Sequence, residues 1–303
     1  MIAKKKLIFA STNRTNGFTI VKNYDMRYYI VDAFTDKPFG GNPAGVVLLE
    51  GDLFPSVELM LQIAAELRYS ETAFVRQQSD KEFTIRYFTP KAEVELCGHA
   101  TVATFALLRQ ESGIEGHCLC HTKAGDLSIE VGREVMMQMA VPRIVDTIAD
   151  TKEIYQAIGV TGYQPILPVQ IAYSGLPDIM IQVANISTLN GLQPDLEAIT
   201  AITRQRNAVS FHVFAFSNDG HTAHVRDFAP LYDIPEESAT GTANAALTHY
   251  LQQHGCIPIS GDFSFLQGEA MERPSVVRTH VALDGSIYVG GSAAIVAKGE
   301  LVL

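Results

Sequence analysis

The chain has 303 residues, of which 47% are hydrophobic and 18% charged, a balance that excludes a disordered or fibrous protein and allows one large domain or two of about 150 residues. Its 23 lysines and arginines against 33 aspartates and glutamates give a net charge of −10, which opposes affinity for nucleic acid or anionic membranes. No apolar run approaches the roughly 18 to 20 residues of a membrane span, no export signal is recognisable at the start, and the four cysteines Cys97, Cys118, Cys120 and Cys256 are too sparse for a disulfide scaffold, so a cytoplasmic protein with reduced thiols is expected.

Residues 1–25 carry Lys4, Lys5, Lys6, Arg14 and Lys22 against Asp25, and read as a weakly ordered basic extension. Strands are expected over Tyr28 to Phe34 and Ala44 to Leu49, separated by the turn-forming residues of Pro38 to Pro43. In that turn, Asn42 either lines a cleft or simply shapes the bend. Val57, Met60, Leu61, Ala64 and Leu67 recur at helical spacing behind Ser56, which predicts an amphipathic helix with Ser56 as its N-cap. Alternation over Phe83 to Phe88 predicts a strand, and the apolar, Ala-rich stretch from Gly98 to Leu108 a helix buried on most sides. His117-Cys118-Leu119-Cys120-His121 invites a zinc reading, but strand alternation sends the histidines and the cysteines to opposite faces, away from one tetrahedral site. Phosphate loops, nucleophile elbows and dinucleotide fingerprints are absent.

A long-range echo organises the rest. Phe88-Thr89-Pro90 followed by Cys97-Gly98-His99-Ala100 returns as Phe228-Ala229-Pro230 followed by Thr240-Gly241-Thr242-Ala243, each leading into an Ala-rich helix, over Thr101 to Leu108 and Ala243 to Leu251. Two similar halves would face each other across a cleft, with both helix starts presenting free amides to an anionic ligand. Alternatively, Gly98 and Gly241 serve only tight turns and close packing.

The segments Val31 to Thr35, Phe39 to Ala44, Ser70 to Phe74, Arg86 to Pro90, Glu95 to Thr101, Ala239 to Ala243 and Val289 to Gly291 together resemble the PhzF-like isomerases of the phenazine biosynthesis type, within the diaminopimelate epimerase-like fold. The resemblance implies an α+β protein of two pseudo-repeated halves, each a curved mixed sheet around a central helix. The first half would span residues 26–142, with 287–303 returning to it, and the second residues 143–286. It implies Glu71 as the proton-transfer group and His99 as its assistant. Substrate contacts would come from Asn42, Gly98, Ala100, Glu237, Gly241 and Thr242, with Glu and Thr standing where Asp and Ser are usual in the family. Desolvation in a dry cleft is expected to raise the Glu71 pKa, and a helix start to favour neutral His99.

Related epimerases and racemases oppose two cysteines, whereas this sequence has Cys97 at one position and Thr240 at the other. A threonine hydroxyl is too weak an acid to replace the thiol, so two-base inversion is disfavoured. Cys97 is then either a reactive thiol or a packed side chain. The expected function is a homodimeric isomerase that needs no cofactor or metal and moves a proton on a small carboxylate-bearing metabolite. The alternatives are a non-catalytic ligand-binding protein and a true amino-acid epimerase.

Overall fold

The computed structural model describes residues 26–51 and 53–303, so the expected basic extension lies outside the described residues. The first half of the chain forms β1 (Met26–Ala33), β2 (Asn42–Leu49), α1 (Val57–Leu67), β3 (Thr72–Ser79), β4 (Glu82–Phe88), β5 (Glu93–Val94), α2 (Gly98–Ser112), β6 (Gly116–Thr122), β7 (Gly125–Val131) and β8 (Val135–Gln138). There follow β9 (Arg143–Thr147), α3 (Lys152–Ala157), β10 (Gln170–Tyr173), β11 (Pro177–Gln182), α4 (Ile186–Asn190), α5 (Leu196–Arg206), β12 (Ser210–Phe216), β13 (Ala223–Ala229) and β14 (Ile234–Glu237). The chain closes with α6 (Gly241–Gln253), β15 (Gly261–Gln267), β16 (Ser275–Val281), β17 (Ile287–Gly291) and β18 (Ala293–Glu300).

The faint sequence echo is a strand-for-strand repeat. In the first half, β2 and β3 pair in parallel through the α1 crossover, β3 and β4 are antiparallel, β4 turns back on β5, and β4 pairs in parallel with β6 beyond α2. The second half repeats this order with β11, β12, β13, β14 and β15, α4 and α5 replacing α1 and α6 replacing α2. All strands join one continuous sheet. Its seam is β17, which pairs with β16 on one side and β8 on the other, while β18 returns to β1. Gly290 belongs at that seam because a Cβ there would overlap the Val135 carbonyl.

Each half curves around one helix. Every residue of α2 from His99 to Leu108 is buried, because β1, β2, β3, β7, β8 and β18 all pack on it. A helix surrounded on all sides needs no polar face, which is why its sequence shows no amphipathic stripe. Against β9, β10, β11, β16 and β17 packs α6, and the two central helices touch. Helix α1 lies on the outer face instead. Ser56 caps it by accepting from the Leu59 amide at 3.2 Å, and Met60, Ile63 and Ala64 bury themselves against Val47, Phe74 and Phe88. Val57, expected in that stripe, is exposed, because it occupies the first turn at the edge of the packed face. Among the described residues, no helix is long and apolar enough to cross a membrane.

Candidate active site

Glu71 stands immediately before β3, where its carbonyl accepts from the Gly45 amide of β2 at 3.1 Å. That bond starts the parallel β2–β3 pair and fixes the backbone from which the Glu71 side chain projects. The short return strand β5 then delivers Cys97, in extended conformation, to the N-cap of α2. With the first helical bond running from the Thr101 amide to the Cys97 carbonyl at 3.0 Å, the amides of Gly98, His99 and Ala100 precede the helical pairing. The second half repeats the device. Thr240 caps α6 with its carbonyl, accepting from Asn244 at 3.2 Å, so the amides of Gly241, Thr242 and Ala243 precede the pairing in turn. Neither cap uses a side chain, and both helix starts therefore retain their capacity for an anion.

His99 connects the two walls. Its Nε2 lies 3.4 Å from Glu71 Oε2 and 3.5 Å from Ser70 Oγ, while Nδ1 lies 3.4 Å from Cys97 Sγ and 3.9 Å from Glu237 Oε1. Burial pushes the imidazole pKa below its usual value against the opposing pull of Glu71, so the ring is neutral near pH 7 and offers one donor and one acceptor. Glu237, at the end of β14, accepts from Asn42 Nδ2 at 3.0 Å, and its Oε2 lies 2.8 Å from Thr240 Oγ1. Burial first, then Asp227 and Glu71, push its pKa up to about 8. The Cys97 thiol is buried and is pushed well above its usual range, again by burial first and then by Glu71. It is a protonated thiol at neutral pH, and the helix start does not activate it.

The bend before Asn42 is made by glycine. Gly41 takes a left-handed φ of 63°, and a Cβ there would overlap the Ala33 carbonyl, so the bend requires glycine. Arg273 Nε and Ser238 Oγ both donate to the Gly41 carbonyl, at 2.9 and 3.0 Å. The bend thus held, Asn42 crosses to the other half and donates to Glu237 and to the Ala239 carbonyl. Gly98 and Gly241, by contrast, have ordinary φ values, and a Cβ at either would meet neighbours no closer than 3.4 Å. A tight turn is therefore not their reason. Ala100 is buried in the first turn of α2. Thr242 sits in the first turn of α6 with its methyl toward Gly175, and it is Thr240, not Thr242, whose hydroxyl bonds Glu237.

Among the described residues, Glu71, Cys97 and His99 offer donor atoms all within 4.8 Å of one another, close enough for a metal ion. A metal there would have to displace a tightly held thiol proton and occupy the Glu71 carboxylate. On β6, Cys118 and Cys120 point into the core and His117 and His121 outward, with His121 held by Asp126 at 2.7 Å and Glu82 at 2.8 Å.

Sequence reasoning missed the residues behind Thr240. The Thr240 hydroxyl lies 3.2 Å from Asp227 Oδ2, and Asp227 Oδ1 is met by His212 Nδ1 at 2.8 Å and Ser210 Oγ at 2.7 Å. The available signal was the 140-residue echo, which sets Asp227 opposite Tyr87.

The chain is matched over residues 31–299 by the family of phenazine biosynthesis-like proteins, PhzC-PhzF. An uncharacterized isomerase from Deinococcus radiodurans is 35% identical, covering 90% of this chain and 94% of its own. The trans-2,3-dihydro-3-hydroxyanthranilate isomerase of Pseudomonas aeruginosa is 29% identical over 91% of this chain and 99% of its own. The crystal structure of a Bacillus anthracis phenazine biosynthesis protein of the PhzF family superposes with a TM-score of 0.83 at 25% identity, covering 92% of this chain and 99% of that one. The architecture is the α+β, diaminopimelate epimerase-like fold.

Proposed function

The chain belongs to the phenazine biosynthesis-like PhzC-PhzF family, and on that premise we propose that it is an isomerase moving a proton on a small carboxylate-bearing metabolite, without a metal or cofactor. The observation that supports this most is the pairing of unlike walls around His99. Glu71 lies at one ring nitrogen and Glu237, held in its acid form, toward the other. Two carboxyl groups on opposite sides of one imidazole, one of them held as an acid, can divide the work of base and acid.

Glu71 takes the proton from carbon as a carboxylate and returns it at a second position of the same substrate. Neutral His99 orients Glu71 and bonds a substrate polar group. Glu237, positioned by Asn42, donates a hydrogen bond to an oxygen or nitrogen on which charge develops. The substrate carboxylate rests on the first-turn amides of α2 and α6, an arrangement that favours an anion by roughly 0.3 to 2 kcal/mol per helix start. Inversion by two opposed thiols is disfavoured because the position equivalent to Cys97 in the second half is Thr240, whose hydroxyl is engaged by Glu237 and Asp227. The enzyme is proposed to act as a cytoplasmic homodimer.

The test is turnover in deuterium oxide with trans-2,3-dihydro-3-hydroxyanthranilate and related carboxylates as probes. Deuterium should enter product at the reprotonated carbon, and Glu71→Gln should lower the rate by about 10² to 10⁴ with the fold intact. Normal turnover in that variant removes Glu71 from its role. Binding of the probes without any exchange points instead to a ligand-binding protein.

A further inference from the structure

The repeat places a second polar cluster at the pseudo-equivalent of the Glu71 region. Asp227 faces His212 across β12 and β13 as Tyr87 faces Ala73 across β3 and β4. Carried two residues back along the strands, the register sets Ser210 at the position of Glu71. Asp178, the parallel neighbour of Ser210, then falls at the position of Ala44. In place of Ala44, Glu71, Ala73 and Tyr87, the second half has four polar residues that are each at most 1% exposed: Asp178, Ser210, His212 and Asp227.

Counting hydrogens fixes the state of this cluster. Ser210 Oγ lies 2.9 Å from Asp178 Oδ1 and 2.7 Å from Asp227 Oδ1, and one hydroxyl has one hydrogen to give. Thr240 Oγ1 is in the same position between Asp227 Oδ2 at 3.2 Å and Glu237 Oε2 at 2.8 Å. Each hydroxyl can donate to only one of its two acids, and the other meets it only as a protonated donor; at Thr240 the same oxygen also accepts from Gln267 Nε2 at 3.1 Å. His212 Nδ1 approaches Asp227 alone, at 2.8 Å. Asp227 is therefore the carboxylate that receives three donors, Ser210, His212 and Thr240, and the proton-bearing acids stand on either side of it. Asp178 Oδ2 is buried without a partner, which a neutral acid tolerates far better than an anion. Burial, with Asp227 next, pushes the Asp178 pKa up to about 7 and the same two causes act on Glu237.

We propose that Asp227 is a positioning residue for catalysis: from behind α6, through the Thr240 hydroxyl, its buried charge keeps Glu237 in the acid form that faces the cleft. The other titratable groups near Glu237 belong to the first half, namely Glu71, His99 and Cys97, and the groups facing Asp227 are His212, Asp178 and Glu237. Bound deep under the helix, Asp227 touches no substrate. Its effect is to keep the second wall protonated: the Glu237 proton rests on Thr240 and is drawn to a bound substrate oxygen or nitrogen on which charge develops. This extends the proposed function but does not depend on Glu71 being the base, and its test needs no substrate.

The test is an infrared titration of the purified protein in deuterium oxide, following the carbonyl band of protonated carboxylic acids. At neutral pH the band should be present, and Glu237→Gln and Asp178→Asn should each remove part of it. Asp227→Asn, which keeps the shape and removes the charge, should lower the midpoint of the Glu237 component by about one to two pH units. A Glu237→Gln spectrum identical to that of the unaltered protein at pH 7 overturns the proposal even if Asp227→Asn fails to fold. So does a folded Asp227→Asn protein whose Glu237 midpoint stays in place.

Discussion

Replacement of Glu237 by glutamine should change how stability depends on pH. In the unfolded chain this carboxyl titrates at its ordinary value of 4.5, whereas in the folded protein burial, Asp227 and Glu71 hold its proton until about pH 8. Between those limits the folded state binds the extra proton, so the term is fully present below pH 4.5 and is lost as pH rises through 8. The slope is about 1.4 kcal/mol per pH unit for one proton. Over a span of roughly 3.5 pH units the full loss approaches 5 kcal/mol, and because the side chain retains 19% of its surface, solvent reduces this to about 2 to 4 kcal/mol. Urea unfolding at pH 5, 7 and 9 measures it. Glutamine cannot ionise, still accepts from Asn42 and can donate to Thr240 as the acid does, so Glu237→Gln should lose less stability than the unaltered protein between pH 5 and 9 by that amount. Parallel curves for the two proteins would refute the assignment of a held proton to Glu237.

Because the Cys97 thiol is buried and protonated, Cys97→Ala and chelator treatment should each leave most turnover of an active probe; complete loss in either, or stoichiometric metal in purified protein, would make the Glu71, Cys97 and His99 group a metal or thiol site. Gly290→Ala drives a Cβ into the Val135 carbonyl at the β8–β17 seam and should cost about 2 to 4 kcal/mol in denaturant unfolding. Gly132→Ala, whose Cβ meets nothing closer than 3.6 Å, should stay within about 1 kcal/mol, and equal costs would contradict the reading of the seam. Asn42→Ala removes the donor from the first half to Glu237 and should raise KM more than it lowers kcat; an unchanged KM would separate Asn42 from substrate binding. Light scattering should give twice the 33.1 kDa chain mass, and a value at the chain mass contradicts the proposed dimer.

What the sequence determined by itself lies in local pattern and in the echo between halves. Helical spacing and Ser56 sufficed for α1, alternation for β4 and for the two faces of β6, and unbroken apolar composition for α2, since each of these signals depends on residues within a turn or two of one another. The 140-residue echo carried the two-half architecture, and the motifs flanking it carried the family and the candidate residues Glu71, His99 and Glu237. Tertiary structure alone decided which groups meet. Asn42 reaches Glu237 across 195 positions, and Thr240, read from sequence only as a missing cysteine, joins Glu237 to Asp227. Strand register decides such contacts: parallel and antiparallel pairing brings Asp178, Ser210, His212 and Asp227 onto one buried face, and no local periodicity encodes which strand will lie beside which. The proton affinity of Glu237 was hidden for the same reason, because it is set by burial and by neighbours that the chain assembles only when the two halves close around their helices.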